Sequence, residues 1–359
     1  MFVADLHNDV LQRAMIGEDI SIKTFEGHSD LERLKESCID LEVFVIWIPG
    51  NKSEGAFFKA NKYYEILLNL EKENNIKITK NLDDINNAKK NNYLSTPFAL
   101  EGGEAIENNI ENLYHFINKG LFYFGPTWNH SLSWVSSNFD EKHNRKNIKS
   151  FGLNKFGQDV INICNENGVI IDVSHIGEQS FWDINKISKK PFIASHSSVH
   201  KLCPHHRNLK DDQILAIKKS KGLIGLNPYP FFIDSNFKKK EEKFIKTFEN
   251  KIEAITLKEN DLSVRWIKKQ HLLQKKLQEI APLLDIYIDH IEYIINLAGI
   301  DYVGIGSDYD GLDCLPKGLI DCRDHIKIIH KLDSRGYSSK DIEKIMGLNI
   351  LRVFQEVKS

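Results

Sequence analysis

Eight short apolar runs, separated by segments with helical spacing, recur along this 359-residue chain. Apolar runs of this kind are typical of parallel strands that are buried on both faces. Strand alternating with helix eight times predicts a (β/α)8 barrel of the TIM type. The predicted strands lie near residues 2–7, 39–48, 97–101, 121–128, 169–175, 192–196, 223–228 and 302–308.

The segment between the seventh and eighth runs is much longer than the others. It is rich in lysine and glutamate and carries apolar residues at helical intervals, so residues 231–285 are predicted to form a helical insertion before the last strand. The whole chain, residues 1–359, is predicted to form one barrel domain. The charges of the insertion are explained by helix faces that are exposed to solvent. The alternatives are that the insertion covers the barrel mouth or that it pairs with a second subunit in a homodimer.

Charge and cysteine usage restrict the classes of partner. The formal net charge is -2, with acidic and basic residues mixed along the chain, which argues against nucleic acid and favours a small-molecule substrate. No apolar run approaches the roughly 20 residues that span a bilayer, and the chain start lacks the features of a secretory signal. The five cysteines are scattered and form no CxxC motif. We therefore predict a cytoplasmic protein without a membrane partner.

Several runs end on a residue that can bind a divalent cation. These residues are His7, Asp9, Glu101, His175 and His196. The carboxyl ends of barrel strands meet at one mouth, so the five side chains are predicted to converge there. Imidazole and carboxylate donors suit zinc or a similar first-row ion. Since a glutamate can offer one oxygen to each of two ions, Glu101 is predicted to bridge a first ion, held by His7 and Asp9, and a second, held by His175 and His196.

Three further polar residues near strand ends are candidates for chemistry. Asp308 ends the last run and is predicted to act as the general base, although Asp310 could exchange roles with it. Glu104 competes with Glu101 as the bridging carboxylate. Arg207, in the loop after the sixth run, is equally consistent with a clamp on a substrate carboxylate and with an ordinary surface arginine.

Residues around these candidates receive supporting or structural predictions. Asp5 shares the strand face of His7 and is predicted to hold its imidazole. Histidines that lack a strand-end position, among them His28 and His325, are predicted to lie at the surface.

The combined motifs resemble the membrane dipeptidase family, also called renal dipeptidase, the zinc peptidases of family M19. The resemblance runs over nearly the entire chain, from DLHND through LEGGEAI, GLNKFGQDVINICNENGVIIDVSHI and SHSSVHKLCPHHRNLKDD to YVGIGSDYDG and MGLNILRVF. It implies a (β/α)8 barrel with two zinc ions per chain. It also implies that His7, Asp9 and Glu101 bind one ion and that Glu101, His175 and His196 bind the other.

The resemblance also implies roles for the substrate residues. Arg207 matches the residue that grips the free carboxylate of a dipeptide, and Asp308 matches the acidic residue at the catalytic water. One departure concerns a histidine that contacts the scissile carbonyl in animal members of the family. This chain reads GPTWNHSLSW there and places Trp128 at that position, so His130, two residues later, is the candidate to replace it.

These observations predict a zinc-dependent dipeptidase. A hydroxide that bridges the two ions would attack the peptide carbonyl, and Arg207 would restrict the substrate to dipeptides with a free C-terminal carboxylate. One alternative is another binuclear metal-dependent amidohydrolase that acts on a cyclic amide, an N-acyl amino acid or a deaminase substrate. The other is a barrel that binds a ligand without catalysis.

Overall fold

The centre of the protein is a parallel β-sheet that curls into a barrel. A computed structural model describes residues 1–49, 54–143 and 151–358. Eight strands of the described residues form the barrel: β1 (Ala4–Asn8), β2 (Leu41–Trp47), β3 (Phe98–Glu101), β4 (Tyr123–Gly125), β5 (Ile170–Asp172), β6 (Phe192–Ser197), β7 (Leu223–Leu226) and β8 (Val303–Ile305).

Each strand pairs in parallel with the next strand along the chain. Seven such pairings run from β1–β2 to β7–β8. The barrel closes just beyond β8, where Tyr309 forms a parallel bridge with Asn8 and its carbonyl accepts the N–H of Asp9 at 2.8 Å. The predicted (β/α)8 barrel is therefore confirmed. Two short strands, Ile76–Lys77 and Leu94–Ser95, extend the sheet beside the start of β2.

Helices follow the strands and cover the outside of the barrel. None of the described helices has the length and apolar character needed to cross a membrane. The α-helices are Leu11–Met15, Leu31–Glu36, Ala56–Glu73, Leu82–Lys90, Ile110–Lys119, Asn138–His143, Lys155–Glu166, Glu178–Ile187, Asp211–Lys219, Pro230–Ile233, Phe237–Ile245, Glu249–Lys258, Leu262–Leu277, Leu284–Ala298, His325–Ser334, Ser339–Glu343 and Asn349–Lys358. Shorter 3-10 turns span Gly103–Ile106, Lys246–Phe248, Ile300–Tyr302 and Cys322–Asp324, and Lys344–Leu348 forms a π-helical turn.

The apolar runs are continuous because both faces of each strand are buried. In β2, Val43 and Val45 belong to the apolar cluster that includes the C-terminal helix, whereas Phe44 and Ile46 belong to the larger cluster that includes the surrounding helices. Successive side chains of a strand point to opposite faces, so a strand between these two layers needs apolar residues at every position.

The predicted helical insertion precedes the last strand. Its helix Leu262–Leu277 lies against the loop that follows β8, where the Gln270 side chain donates to the carbonyls of Asp310 and Leu312 at 3.0 and 3.1 Å. Apolar residues of the insertion, including Phe237 and Leu273, form a separate small core. The insertion is thereby fixed beside the barrel mouth.

Candidate active site

The five predicted metal ligands meet at the carboxyl ends of the strands. All five side chains are buried. The Oε1 atom of Glu101 lies 2.9 Å from Nε2 of His175, 3.5 Å from Nε2 of His196 and 3.8 Å from Nε2 of His7. Asp9 completes the cluster, with its Oδ2 atom 3.5 Å from Nε2 of His7. Three imidazoles and two carboxylates thus face one small space.

Irregular strand pairing helps to aim two of these side chains. The pairing of β1 with β2 shifts around His7, and the pairing of β6 with β7 shifts around Ser195 and His196. An extra residue in one strand of a pair bends that strand and redirects its side chains, a device that is common beside active sites. The shift in β6 lets the adjacent Ser195 and His196 both reach the ligand cluster.

Each imidazole is held through its Nδ1 atom by an oxygen: His7 by Tyr123 at 2.7 Å, His175 by Asn129 at 3.1 Å and His196 by Ser195 at 2.8 Å. The hydroxyl of Tyr123 also donates to the carbonyl of Leu6 at 3.1 Å, so it is free to accept from His7. An imidazole that donates from Nδ1 presents the lone pair of Nε2. Three Nε2 atoms therefore converge on Glu101, each oriented to present a lone pair to a cation.

The ligand cluster fits a bound cation. The buried atoms Nε2 of His7, Oδ1 of Asp9 and Oε1 of Glu101 take part in no hydrogen bond. Unpartnered buried polar atoms are costly, and ligation of a cation would satisfy them. Among the described residues, His7, Glu101 and His196 form one group whose ligand atoms lie within 4.8 Å of one another, and His7, Asp9 and Asp308 form another.

The charges at the site also call for a cation. Burial, together with the charges of Asp9 and Asp308, raises the pKa of Glu101 well above its usual range, and burial and Asp9 raise that of Asp308 to about 7. For His7, burial opposes protonation, but Glu101 and Asp9 outweigh it and raise its pKa to about 10. Burial lowers the pKa of His175 well below its ordinary value. Several buried carboxylates thus share the positive charges of His7 and Arg207.

Asp308 and Asp310 have different surroundings, although they are two residues apart. Both have a left-handed backbone, with φ 55° and 62°, but Oδ2 of Asp308 accepts from Asn227 at 2.9 Å. Asp310 accepts from Ser29 at 3.0 Å and lies 3.5 Å from the guanidinium of Arg13. Burial would raise the pKa of Asp310, but Arg13 outweighs it, and the net shift is downward. Asp308 therefore lies beside the ligand cluster, and Asp310 belongs to a separate ion-pair network.

Arg207 lies at the edge of the ligand cluster and is buried. Its guanidinium donates to the carbonyl of Ser174 and, at 3.2 Å, to that of His196, and its Nη2 atom lies 3.1 Å from Nε2 of His175. The ring of Phe232 supports it at 5.5 Å. The structure therefore places this arginine inside the barrel mouth.

A cavity of about 560 Å³ opens at the ligand cluster. Its polar lining includes Asp9, Glu101, His130, His175, His196, Arg207 and Asp308, and its large apolar side chains include Trp47, Trp128, Tyr229, Phe231, Phe232 and Trp266. The ring of His130 packs edge-on against Trp128 at 5.6 Å. Trp266 belongs to the insertion, which therefore contributes part of the cavity wall.

Two expectations about supporting residues are wrong. Asp5 does not hold the imidazole of His7; its carboxylate instead accepts the backbone N–H of Ser307 at 2.9 Å and pairs with Nε2 of His325, also at 2.9 Å. Tyr123 holds His7 instead. His325 and His28 are buried rather than at the surface. A tyrosine within the apolar run of a nearby strand was the available sequence signal for the partner of His7.

Residues 1–359 match the family described as Membrane dipeptidase (Peptidase family M19). An uncharacterised protein in the PQQ-III 3' region of Acinetobacter calcoaceticus is 31% identical over 251 residues, which cover 63% of this chain and 79% of that protein. Dipeptidase 3 of Mus musculus is 25% identical over 99% of this chain, which spans 64% of the mouse protein.

Solved structures share the fold. A metallo peptidase from Rhodobacter sphaeroides, liganded with a phosphinate mimic of the dipeptide L-Ala-D-Ala, has a TM-score of 0.80 at 22% identity and covers 99% of both chains. The probable dipeptidase PvdM from Pseudomonas aeruginosa has a TM-score of 0.79 at 22% identity and covers 100% of this chain and 96% of that chain.

Proposed function

Since this chain belongs to the membrane dipeptidase family, peptidase family M19, and is thus a metallo-dipeptidase, we propose that it uses two zinc ions to hydrolyse dipeptides with a free C-terminal carboxylate. The observation that carries the proposal is the convergence of three histidine Nε2 atoms on Oε1 of Glu101, at 2.9 to 3.8 Å. The adjoining cavity of about 560 Å³ is in the size range of small-molecule sites.

Each proposed zinc ion has its own set of ligands, with one residue shared. His7 and Asp9 would hold the first ion, His175 and His196 the second, and Glu101 would contribute to both. When bound, the ions would supply Lewis-acid polarisation of the carbonyl and would lower the pKa of water, so that a nucleophile would be available at neutral pH. The proposed ligand set accounts for the unpartnered atoms of His7, Asp9 and Glu101.

Asp308 is the proposed proton carrier of the reaction. Its carboxylate accepts the proton that the attacking water loses and returns a proton to the nitrogen of the departing amine when the C–N bond breaks. The hydrogen bond from Asn227 to Oδ2 restrains the side chain while Oδ1 remains available to the site. His130 is proposed to contact the scissile carbonyl from the cavity wall, in place of the histidine that this chain replaces with Trp128.

Arg207 is proposed to bind the terminal carboxylate of the substrate. A planar guanidinium can donate two parallel hydrogen bonds to a carboxylate, and its position next to His175 would place the bound end of a short peptide close to the metal ligands. The Rhodobacter sphaeroides relative, with its bound mimic of L-Ala-D-Ala, supports including dipeptides with a D-residue at the second position among the test substrates.

Removal of metal tests the proposed function. We expect the zinc-loaded protein to hydrolyse dipeptides, a chelator to reduce kcat/KM at least about 100-fold, and added zinc to restore it, because ligation supplies several kcal/mol of transition-state stabilisation. Metal analysis by atomic spectroscopy should give about two zinc ions per chain. Full turnover by the metal-free protein would exclude this function. Faster turnover of cyclic amides or N-acyl amino acids than of dipeptides would assign another amidohydrolase.

Arg207→Met should affect dipeptides far more than dipeptide amides. A charged hydrogen bond contributes roughly 1.5–3 kcal/mol, so KM for dipeptides should rise about 10- to 100-fold, whereas amides lack the carboxylate and should change little. Steady-state kinetics on matched dipeptide and amide pairs would measure the difference. Arg352→Met is the control, because Arg352 also donates to backbone carbonyls but at Lys221 and Gly222, before β7. An equal rise for both substrate types would remove Arg207 from this role.

A further inference from the structure

The carboxylate of Asp172 lies next to the ligand cluster but has no part in the proposed ligand set. It is the last residue of β5 and is buried. Its Oδ1 accepts the backbone N–H and hydroxyl of Ser174, at 3.1 and 2.7 Å, and the backbone N–H of Ser195 at 2.8 Å. Its Oδ2 accepts the hydroxyl of Ser195 at 2.6 Å. Each serine directly precedes a proposed zinc ligand, His175 or His196.

A hydrogen-bonded chain connects Asp172 to one of these ligands. The hydroxyl of Ser195 donates to Oδ2 of Asp172, so its oxygen can accept Nδ1–H of His196 at 2.8 Å. With the proton on Nδ1, the lone pair of Nε2 faces Glu101, at 3.5 Å from Oε1. The direction of donation along this chain thus selects the tautomer of His196 that can bind a metal.

The same carboxylate also acts on the neighbouring ligands. By accepting both the backbone and the hydroxyl of Ser174, it fixes the turn that leads from β5 to His175. The hydroxyl of Ser195 lies 3.4 Å from Nδ1 of His7, so one side chain contacts imidazoles assigned to both proposed ions. Partners of this kind orient metal ligands and tune their basicity.

We propose that Asp172 is a positioning residue of the metal centre, which sets the tautomer of His196 through Ser195 and the turn before His175 through Ser174. This inference rests on the proposed zinc ligands. Asp172→Asn should reverse the direction of hydrogen-bond donation from Ser195 to His196. The new amide would donate to Ser195, and the hydroxyl of Ser195 would then donate to Nδ1 of His196, which leaves the proton of that imidazole on Nε2. Ser195→Ala removes the hydroxyl without placing a donor against Nδ1 of His196, so its effect should be milder.

Zinc affinity of the metal-free, full-length protein tests the inference. Competition with a chromophoric chelator would be measured for the wild type and for the variants Asp172→Asn, Ser195→Ala and Ser195→Thr. We expect Asp172→Asn to bind the zinc ion assigned to His175 and His196 about 10- to 100-fold more weakly. The loss in Ser195→Ala should be smaller, and Ser195→Thr, which keeps the hydroxyl, should approach the wild-type affinity.

Ser95→Ala is the matched control. Ser95 is also a buried strand serine with a hydroxyl partner, Thr79 at 2.6 Å, but it pairs with Leu41 at the start of β2, at the end of the barrel opposite the ligands. Circular dichroism would verify that each variant is folded before zinc is added. The control should retain the wild-type affinity.

The outcomes separate this inference from the proposed function. A wild type that binds two zinc ions and an Asp172→Asn variant that binds both equally well would overturn the inference alone. Equal losses in Asp172→Asn and Ser95→Ala would also overturn it, because a general loss of stability would then explain both. A wild type that binds no zinc would overturn the metal centre and, with it, the inference.

Discussion

Glu101→Gln should lower kcat/KM for dipeptides by on the order of 1000-fold and reduce the zinc content of the protein. The amide keeps the size of the side chain but removes the charge that would bridge two cations, and metal ligation supplies several kcal/mol of the transition-state stabilisation. Burial already raises the pKa of Glu101 well above its usual range in the metal-free protein, so the neutral amide should leave the metal-free fold intact. Steady-state kinetics, atomic spectroscopy and thermal unfolding without zinc would measure the three effects.

Glu104→Gln is the matched control for this experiment. Glu104 is buried three residues further along the same segment, and burial raises its pKa to about 7. It belongs to neither group of clustered ligand atoms found among the described residues. Its replacement should therefore change kcat/KM by less than about threefold. Loss of zinc in Glu104→Gln, with normal zinc in Glu101→Gln, would exchange the roles of the two glutamates.

The barrel could be predicted because its strands are buried on both sides. Every position of β2 from Leu41 to Ile46 except Glu42 is apolar, which is visible without knowledge of the fold. The strand ends also indicated where Glu101 and His196 would meet, since carboxyl ends of parallel strands share one end of a barrel. The residues at which strands end could be predicted less accurately. The fifth predicted strand ran to residue 175, whereas β5 ends at Asp172 and His175 lies in the turn that follows.

The apolar pattern did not determine the partners of the imidazoles, although Tyr123 in a nearby strand was a candidate for His7. Whether Tyr123 or Asp5 reaches Nδ1 of His7 depends on the pairing shift in β1, for which the apolar pattern gives no signal. The burial of His325 could not be predicted either, because its partner Asp5 is 320 residues away in the chain. Choices among hydrogen-bond partners of this kind depend on how side chains are placed across strands, whereas apolar periodicity reports only which face is buried.

Asp308→Asn should reduce kcat about 100- to 10,000-fold, the usual range for loss of a general acid–base group, with zinc content and KM nearly unchanged. Asp308 accepts a proton only when it is ionised, and burial with Asp9 raises its pKa to about 7 in the metal-free protein. Bound cations favour the ionised form and lower this pKa, so wild-type kcat should fall with decreasing pH at some point below 7. The residual kcat of Asp308→Asn should lack this acid limb. Loss of zinc in the variant would instead make Asp308 a metal ligand.

Asp310→Asn provides the contrast, because Asp310 lies two residues away but serves a different network. Its carboxylate forms an ion pair with the buried guanidinium of Arg13. Removal of one partner of a buried ion pair costs roughly 3–5 kcal/mol of stability. We therefore expect Asp310→Asn to lower the free energy of unfolding.

Asp308→Asn removes a carboxylate whose pKa is raised in the folded protein. In the metal-free protein, the contribution of the wild-type Asp308 carboxyl group to the free energy of unfolding is present below about pH 4 and is lost as the pH rises through about 7. At neutral pH the Asp308→Asn variant should therefore unfold no more easily than the wild type. A catalytic defect without a stability defect in Asp308→Asn, and a stability defect in Asp310→Asn, would assign the proton carrier to Asp308; the reverse pattern would assign it to Asp310.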